Sequence, residues 1–211
     1  MKALWVTDRR AVGDDRFASL LSDLAGLPGL AVELRERGST DRVILGWAVR
    51  ARAALGHGVR LSVNRRFDLA LAAGAAGVHL PADGLPIERV RANTPRGFRI
   101  GVSTHSGRDA AAAIDAGADD VVVGPVFETS SKAGMGSPLG PRALAELPPL
   151  AAHGASVYAI GGISESNLDE LDPWRDRISG VAAIRLFQES SDPRAAALRL
   201  SERWAAEEPA S

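Results

Sequence analysis

Short apolar runs alternate with Ala-rich amphipathic stretches along nearly the whole chain. The runs predict strands over 3–7, 30–35, 59–64, 77–80, 98–102, 120–124, 156–160 and 179–184. Helical patterning falls between them, over 14–25, 41–54, 66–73, 86–93, 107–116, 141–147 and 166–171, with a last helix over 192–206. Residues 110–117 illustrate the logic. Strong helix formers run up to Gly117 as a C-terminal stop, and Asp119 and Asp120 then precede the next strand. Several strands, such as Asp120–Gly124 and Ser156–Ile160, are continuous apolar runs, the pattern expected when both faces are covered. Eight strand–helix pairs without a domain-scale break predict an α/β fold, a single-domain (β/α)8 TIM barrel over residues 1–206, with a frayed tail at 207–211. A doubly wound open sheet would carry a Gly-rich fingerprint after its first strand. Here Asp8-Arg-Arg-Ala11 follows instead.

Composition narrows the function classes. The 211 residues are 45% hydrophobic and 24% charged, as in an ordinary globular protein. A net charge of −1 gives no basic footprint for nucleic acid. No apolar run reaches membrane-spanning length, and Ala3–Thr7 reads as a strand rather than as part of a signal peptide, so a cytoplasmic location is expected. The absence of cysteine excludes disulfides and thiol nucleophiles. The four histidines (57, 79, 105 and 153) lack metal-site spacing, so no zinc site is expected. A homo-oligomer is compatible with a barrel of this size.

Two segments carry most of the chemical signal. Gly124-Pro-Val-Phe-Glu-Thr-Ser-Ser-Lys132 delivers a hydroxyl (Thr129) and a cation (Lys132) just beyond a buried strand. Ala159-Ile-Gly-Gly-Ile163 places paired glycines, Gly161 and Gly162, where backbone N–H groups would cradle a phosphate. In a βα-repeat chain these loops share the end where such folds bind ligands, so a small phosphorylated partner is expected. Arg35 ends the second strand and reads as a site cation. Asn64 ends the third, where it would orient a ligand, cap the following helix, or do both. His79 and His105 sit at or after strand ends, a position that suits a hydrogen-bonded structural histidine as readily as a catalyst.

Seven motifs, in order, add a resemblance: Val6-Thr-Asp8, Glu33-Leu-Arg-Glu-Arg37, Asn64-Arg-Arg-Phe-Asp68, Gly77-Val-His-Leu80, Gly101-Val-Ser-Thr-His-Ser106, Gly124-Pro-Val-Phe127 and Ala159-Ile-Gly-Gly-Ile163. Over roughly residues 3 to 200 the chain resembles the thiamin phosphate synthase / TenI family of barrels, which handle a thiazole phosphate. Its synthases join a pyrimidine pyrophosphate to thiazole phosphate with Mg2+. Its TenI-type members tautomerise a thiazole carboxylate phosphate without metal. The resemblance implies substrate contacts from Arg35, Arg37, Asn64, Ser103, Thr129, Lys132, Gly161 and Gly162. Arg185 stands where the family usually has Ser beside the phosphate; it would clamp the phosphate or turn outward into a salt bridge.

The departures from the synthase pattern set the expected reaction. Arg65 occupies the position of a metal-binding Asp, and Gly84 that of a second, with Asp83 one residue early. Glu33 replaces a Gln. These changes favour a metal-free, TenI-type thiazole tautomerase with no cofactor. Pro125 stands where TenI members carry their proposed acid/base His, so Glu33, Glu128 or His105 would move the proton. The alternative is a divergent synthase that recovers Mg2+ through Asp83. A non-catalytic thiazole-phosphate binder is a third reading.

Overall fold

The computed structural model describes residues 2–129 and 137–205. Eight parallel strands close into a barrel whose spatial order is the chain order. They are β1 (Ala3–Val6), β2 (Leu30–Leu34), β3 (Arg60–Asn64), β4 (Gly77–Leu80), β5 (Arg99–Thr104), β6 (Asp120–Val123), β7 (Ser156–Ile160) and β8 (Gly180–Ala183). Closure is made by β1, where Ala3 pairs with Leu30 on one side and Val181 on the other. Outside lie α1 (Arg9–Val12), α2 (Asp14–Asp23), α3 (Asp41–Leu55), α4 (Phe67–Ala72), α5 (Ile87–Arg91), α6 (Gly107–Asp115), α7 (Arg185–Gln188) and α8 (Pro193–Arg203). Among the described residues no helix is long and apolar enough to cross a membrane. The tail at 207–211 lies outside the described residues.

Strand alternation sorts the side chains into two cores. Ala3 and Trp5 of β1 join the larger core, in which Trp5 packs against Phe17 at 5.6 Å and Phe17 against Trp47 at 5.2 Å between ring centroids. Leu4 and Val6 instead join Ala31, Val122, Tyr158 and Ala182 in a second, smaller cluster inside the barrel. The opposite wall of the interior, on β2 to β5, is polar. Glu33, Ser62, Asn64, His79 and Ser103 lie there, linked to one another or to neighbouring strand backbone. A buried, half-polar barrel interior leaves room for chemistry that an all-aliphatic packing would not.

Two expected helices take another form. Segments 141–147 and 166–171 are 3-10 helices over Pro141–Glu146 and Leu168–Trp174. Pro148 and Pro149 follow the first and Pro173 sits within the second, so neither has the free N–H groups for several α turns. Two single-turn helices, α1 and α7, were not expected. α7 matters, because its buried Gln188 reaches back to β1. Its Oε1 accepts the Asp8 N–H at 2.7 Å and its Nε2 donates to the Asp8 carbonyl at 2.9 Å, which fixes the β1 loop.

At the barrel end opposite the loops that follow the strands, Asp120 accepts from Arg60 (2.8 Å) and from two Arg99 nitrogens (both 3.0 Å), and Arg60 also donates to the Tyr158 hydroxyl at 3.1 Å. Burial, with Asp120 assisting and Arg60 opposing, pushes the Tyr158 hydroxyl up to about 12. The unfolded hydroxyl ionises near pH ~10. The folded state therefore holds the proton more tightly, and this contribution is complete below pH ~10. It is expected to fall by about 1.4 kcal/mol per pH unit as the pH rises toward the folded value. Chemical denaturation across that range should show a shallower decline for Tyr158→Phe; equal slopes for the two proteins would contradict it.

Candidate active site

The C-terminal ends of β1 to β3 are tied together by backbone and side-chain bonds. The Thr7 N–H donates to the Glu33 carbonyl at 3.0 Å, and the Thr7 hydroxyl accepts the Arg35 N–H at 3.0 Å. This leaves Glu33 facing inward and Arg35 half-buried at the rim, with Arg37 exposed beyond it. Burial lowers the Arg35 pKa, and repulsion from Arg37 adds to the effect, while Glu33 and Asp8 oppose it. Among the described residues the Arg35 guanidinium has no hydrogen-bond partner. An anion placed beside it would offset the cost of both the desolvation and the repulsion.

Inside the mouth, one polar string crosses four consecutive strands. Asn64 Nδ2 donates to Glu33 Oε1 at 2.8 Å. Glu33 Oε2 lies 3.7 Å from His79 Nδ1, and His79 Nε2 is 2.8 Å from Ser103 Oγ. Glu33 and His79 are each only 3% exposed. The structure thus brings Glu33, Asn64 and Ser103 together and adds His79. A cavity of about 20 Å3, enough for one water, lies in the barrel interior and is lined by Ser62, His79, Gly101 and Tyr158 among others.

The other two candidates for proton transfer stand apart from this string. His105 is exposed on the loop after β5, and its Nδ1 donates to the Gly124 carbonyl at 2.7 Å, bracing the start of the β6 loop. Glu128 is exposed on that loop and Thr129 is half-buried beside it. Lys132 lies outside the described residues. Arg185 opens α7 directly after β8 and is exposed.

Gly161 and Gly162 have φ of 101° and 64°. Their need for glycine is partly one of packing. A Cβ on Gly161 would lie 2.5 Å from Pro125 Cβ, and one on Gly162 would lie 2.2 Å from the Glu128 carbonyl oxygen. The Phe127 N–H donates to the Gly161 carbonyl at 3.0 Å, so the β6 and β7 loops are pinned together. The Gly162 N–H has no acceptor among the described residues, which leaves it available to an anion.

Arg65 is the only non-glycine residue with positive φ among the described residues, at 65°. Its N–H donates to the His79 carbonyl at 2.8 Å, and its guanidinium meets Asp83 at 3.1 Å on the exposed rim. A non-glycine residue held there stores about 1–3 kcal/mol of strain, a feature that clusters at functional sites. Arg66 is occupied elsewhere, by Asp41 and by Asp68 at 2.6 Å.

A closed parallel barrel with a buried polar string at the C-terminal end of its strands defines a (β/α)8 barrel whose candidate site lies where barrel enzymes place theirs. The family model described as thiamine monophosphate synthase (TMP-TENI) matches residues 3–187, and the chain belongs to that family. It is 41% identical over 198 residues to a putative thiamine-phosphate synthase of Geobacter sulfurreducens, covering 90% of this chain and 87% of that one. It is 38% identical over 205 residues to a thiamine-phosphate synthase of Methanoculleus marisnigri, covering 96% and 95%. A solved thiamine phosphate pyrophosphorylase from Pyrococcus furiosus superposes with a TM-score of 0.80 at 26% identity, over 97% of each chain. These relatives carry the synthase name. They favour the synthase alternative over the tautomerase expected from the departures in the motifs.

The family resemblance implies Mg2+ for a synthase, and the residues present do not fit it. Mg2+ selects hard oxygen ligands in near-octahedral geometry. Here a guanidinium follows Asn64, and the Asp83 carboxylate is engaged by that same guanidinium.

Proposed function

We propose that the chain is a thiamine-phosphate synthase, a transferase that joins a pyrimidine pyrophosphate to thiazole phosphate and releases pyrophosphate. The observation that carries this reading is similarity along nearly the entire length to proteins of that name. Arg35 and Arg37, just beyond β2, take the pyrophosphate as charge-assisted donors, with Arg65 adding a third guanidinium from the loop after β3. Asn64 and Ser103 orient the ring between them. Gly161 and Gly162, together with Thr129, Lys132 and Arg185, form the thiazole-phosphate end. Because cations of the chain stand where a carboxylate would recruit a metal, turnover proceeds without a divalent ion.

A second reading, thiazole tautomerase, is favoured by one observation: the buried Glu33 carboxyl, set between Asn64 and His79, is a proton-handling group inside the mouth. One experiment separates the two. Pure protein is incubated with both synthase substrates, once with Mg2+ and once with EDTA, and thiamin phosphate is quantified. Product at similar rates in both is expected. Product only with Mg2+ would overturn the metal-free part of the proposal. No product in either, with a known synthase active alongside, would sink the synthase reading and leave the tautomer assay to decide the second.

A further inference from the structure

We propose that Glu33, His79 and Ser103 act as one unit in which Glu33 fixes the imidazole tautomer and His79, as a positioning residue, makes the Ser103 oxygen a hydrogen-bond acceptor facing the substrate. The unit is built from the barrel interior and does not depend on which of the two reactions is run.

The argument starts at Asn64. Its amide occupies Glu33 Oε1 at 2.8 Å, and this turns Oε2 toward the imidazole. At 3.7 Å from His79 Nδ1 the carboxylate lies beyond hydrogen-bond reach, so it acts on the ring by charge. Both groups are shielded from water, which strengthens that attraction. A carboxylate beside Nδ1 favours the tautomer with its proton on Nδ1. Nε2 then carries a lone pair, and at 2.8 Å it accepts the Ser103 hydroxyl hydrogen. With that hydrogen used inward, only lone pairs of Ser103 remain to face the mouth. The opposite tautomer would reverse the polarity, because Nε2–H would donate to Ser103 and turn its hydrogen toward the ligand.

Residue 33 therefore sets a specificity that is read at residue 103, two strands further round than its own clamp on β3. The group taken at Ser103 is a substrate N–H or O–H donor, not a carbonyl or a phosphate oxygen. The position of the ring depends on Gly101. A Cβ there would lie 2.7 Å from His79 Nδ1, so the imidazole occupies space that any other residue would fill.

The test reads the tautomer directly and needs no turnover. In protein with 15N-labelled histidine, long-range 1H–15N correlation is recorded at neutral pH, and the His79 signals are identified by their loss in His79→Gln. The expected pattern is a protonated Nδ1 and a bare Nε2 in the parent protein, with the pattern mixed or reversed in Glu33→Gln. A protonated Nε2 in the parent, as the other tautomer or as imidazolium, overturns the proposal, as does an unchanged pattern in Glu33→Gln. Whichever reaction proves active supplies a second readout. Glu33→Gln and Ser103→Ala should each raise KM about tenfold, and the double variant should lose no more than one of them alone. Additive losses would mean that the residues act separately. Absence of both reactions would remove the functional reading while the tautomer result still stands or falls on its own.

Discussion

Gly180→Ala is expected to destabilise the protein by roughly 3–5 kcal/mol, or to prevent folding, because a new methyl group would be driven into backbone that has no room to move. A Cβ at Gly180 would lie 1.8 Å from the Lys2 carbonyl oxygen. That carbonyl accepts the Val181 N–H at 3.3 Å, and Lys2 is held from its other side, where its N–H donates to the Gly29 carbonyl at 2.8 Å. The clash therefore falls on the β1–β8 seam that closes the barrel, between two strands that cannot separate without opening it. Gly46→Ala is the matched control. It lies within α3 with nothing within 4 Å of the added Cβ, and helix propensity alone should make it stabilising by roughly 0.5–1 kcal/mol. Urea midpoints for the two variants should move in opposite directions. A Gly180→Ala protein as stable as its parent would mean that the seam is looser than the structure requires.

Asp120→Ala is expected to cost about 3 kcal/mol. Its carboxylate is the shared acceptor for Arg60 and Arg99, and its removal leaves two partly buried guanidiniums without the carboxylate they share, Arg99 keeping only the attraction of Asp119. The side chains of Arg60 and Arg99 keep 19% and 30% of their exposure, so water screens part of the loss and the lower end of the usual range applies. Arg99→Ala should cost much less in the Asp120→Ala background than in the parent, since the partner it served is already gone. The midpoint of denaturant unfolding, with an unchanged slope, measures both effects. Independent, additive costs would show that Arg99 contributes through its contact with the Asp119 carbonyl (2.8 Å) and not through the carboxylate.

Much of the architecture was legible because strand and helix periodicities alternate so regularly. All eight strands lie within a residue or two of the runs that signal them. The helices after β6 and β7 were less legible, since Ala- and Leu-containing segments there look helical while nearby prolines remove the donors that α turns need. α7 was missed because Arg185-Leu-Phe-Gln188 is too short to show a period, yet Gln188 holds the β1 loop. At the site, Arg35 and Asn64 were singled out from their places at strand ends, whereas Ser103 was singled out only through the resemblance of the motif around it. The importance of His79 was not legible, because a single histidine in Gly77-Val-His-Leu80 gives no sign that a carboxylate on β2 and a hydroxyl on β5 flank it. That juxtaposition is set by barrel register, with Asn64 opposite His79 and His79 opposite Gly101. The paired glycines were read chiefly for phosphate. Their packing against the β6 loop depends on a neighbouring loop that no local pattern describes.

The placement of the seam has a consequence for how the molecule forms. The polar string draws only on β2 to β5, each the neighbour of the next along the chain, whereas closure must bring Ala3 to Val181 across nearly the full length. Joining distant segments is entropically slower than joining near ones. The Glu33–His79–Ser103 arrangement is therefore expected to assemble before ring closure, with closure as the later step. Amide exchange during refolding should protect the strands around Asn64 and His79 before those at the β1–β8 junction.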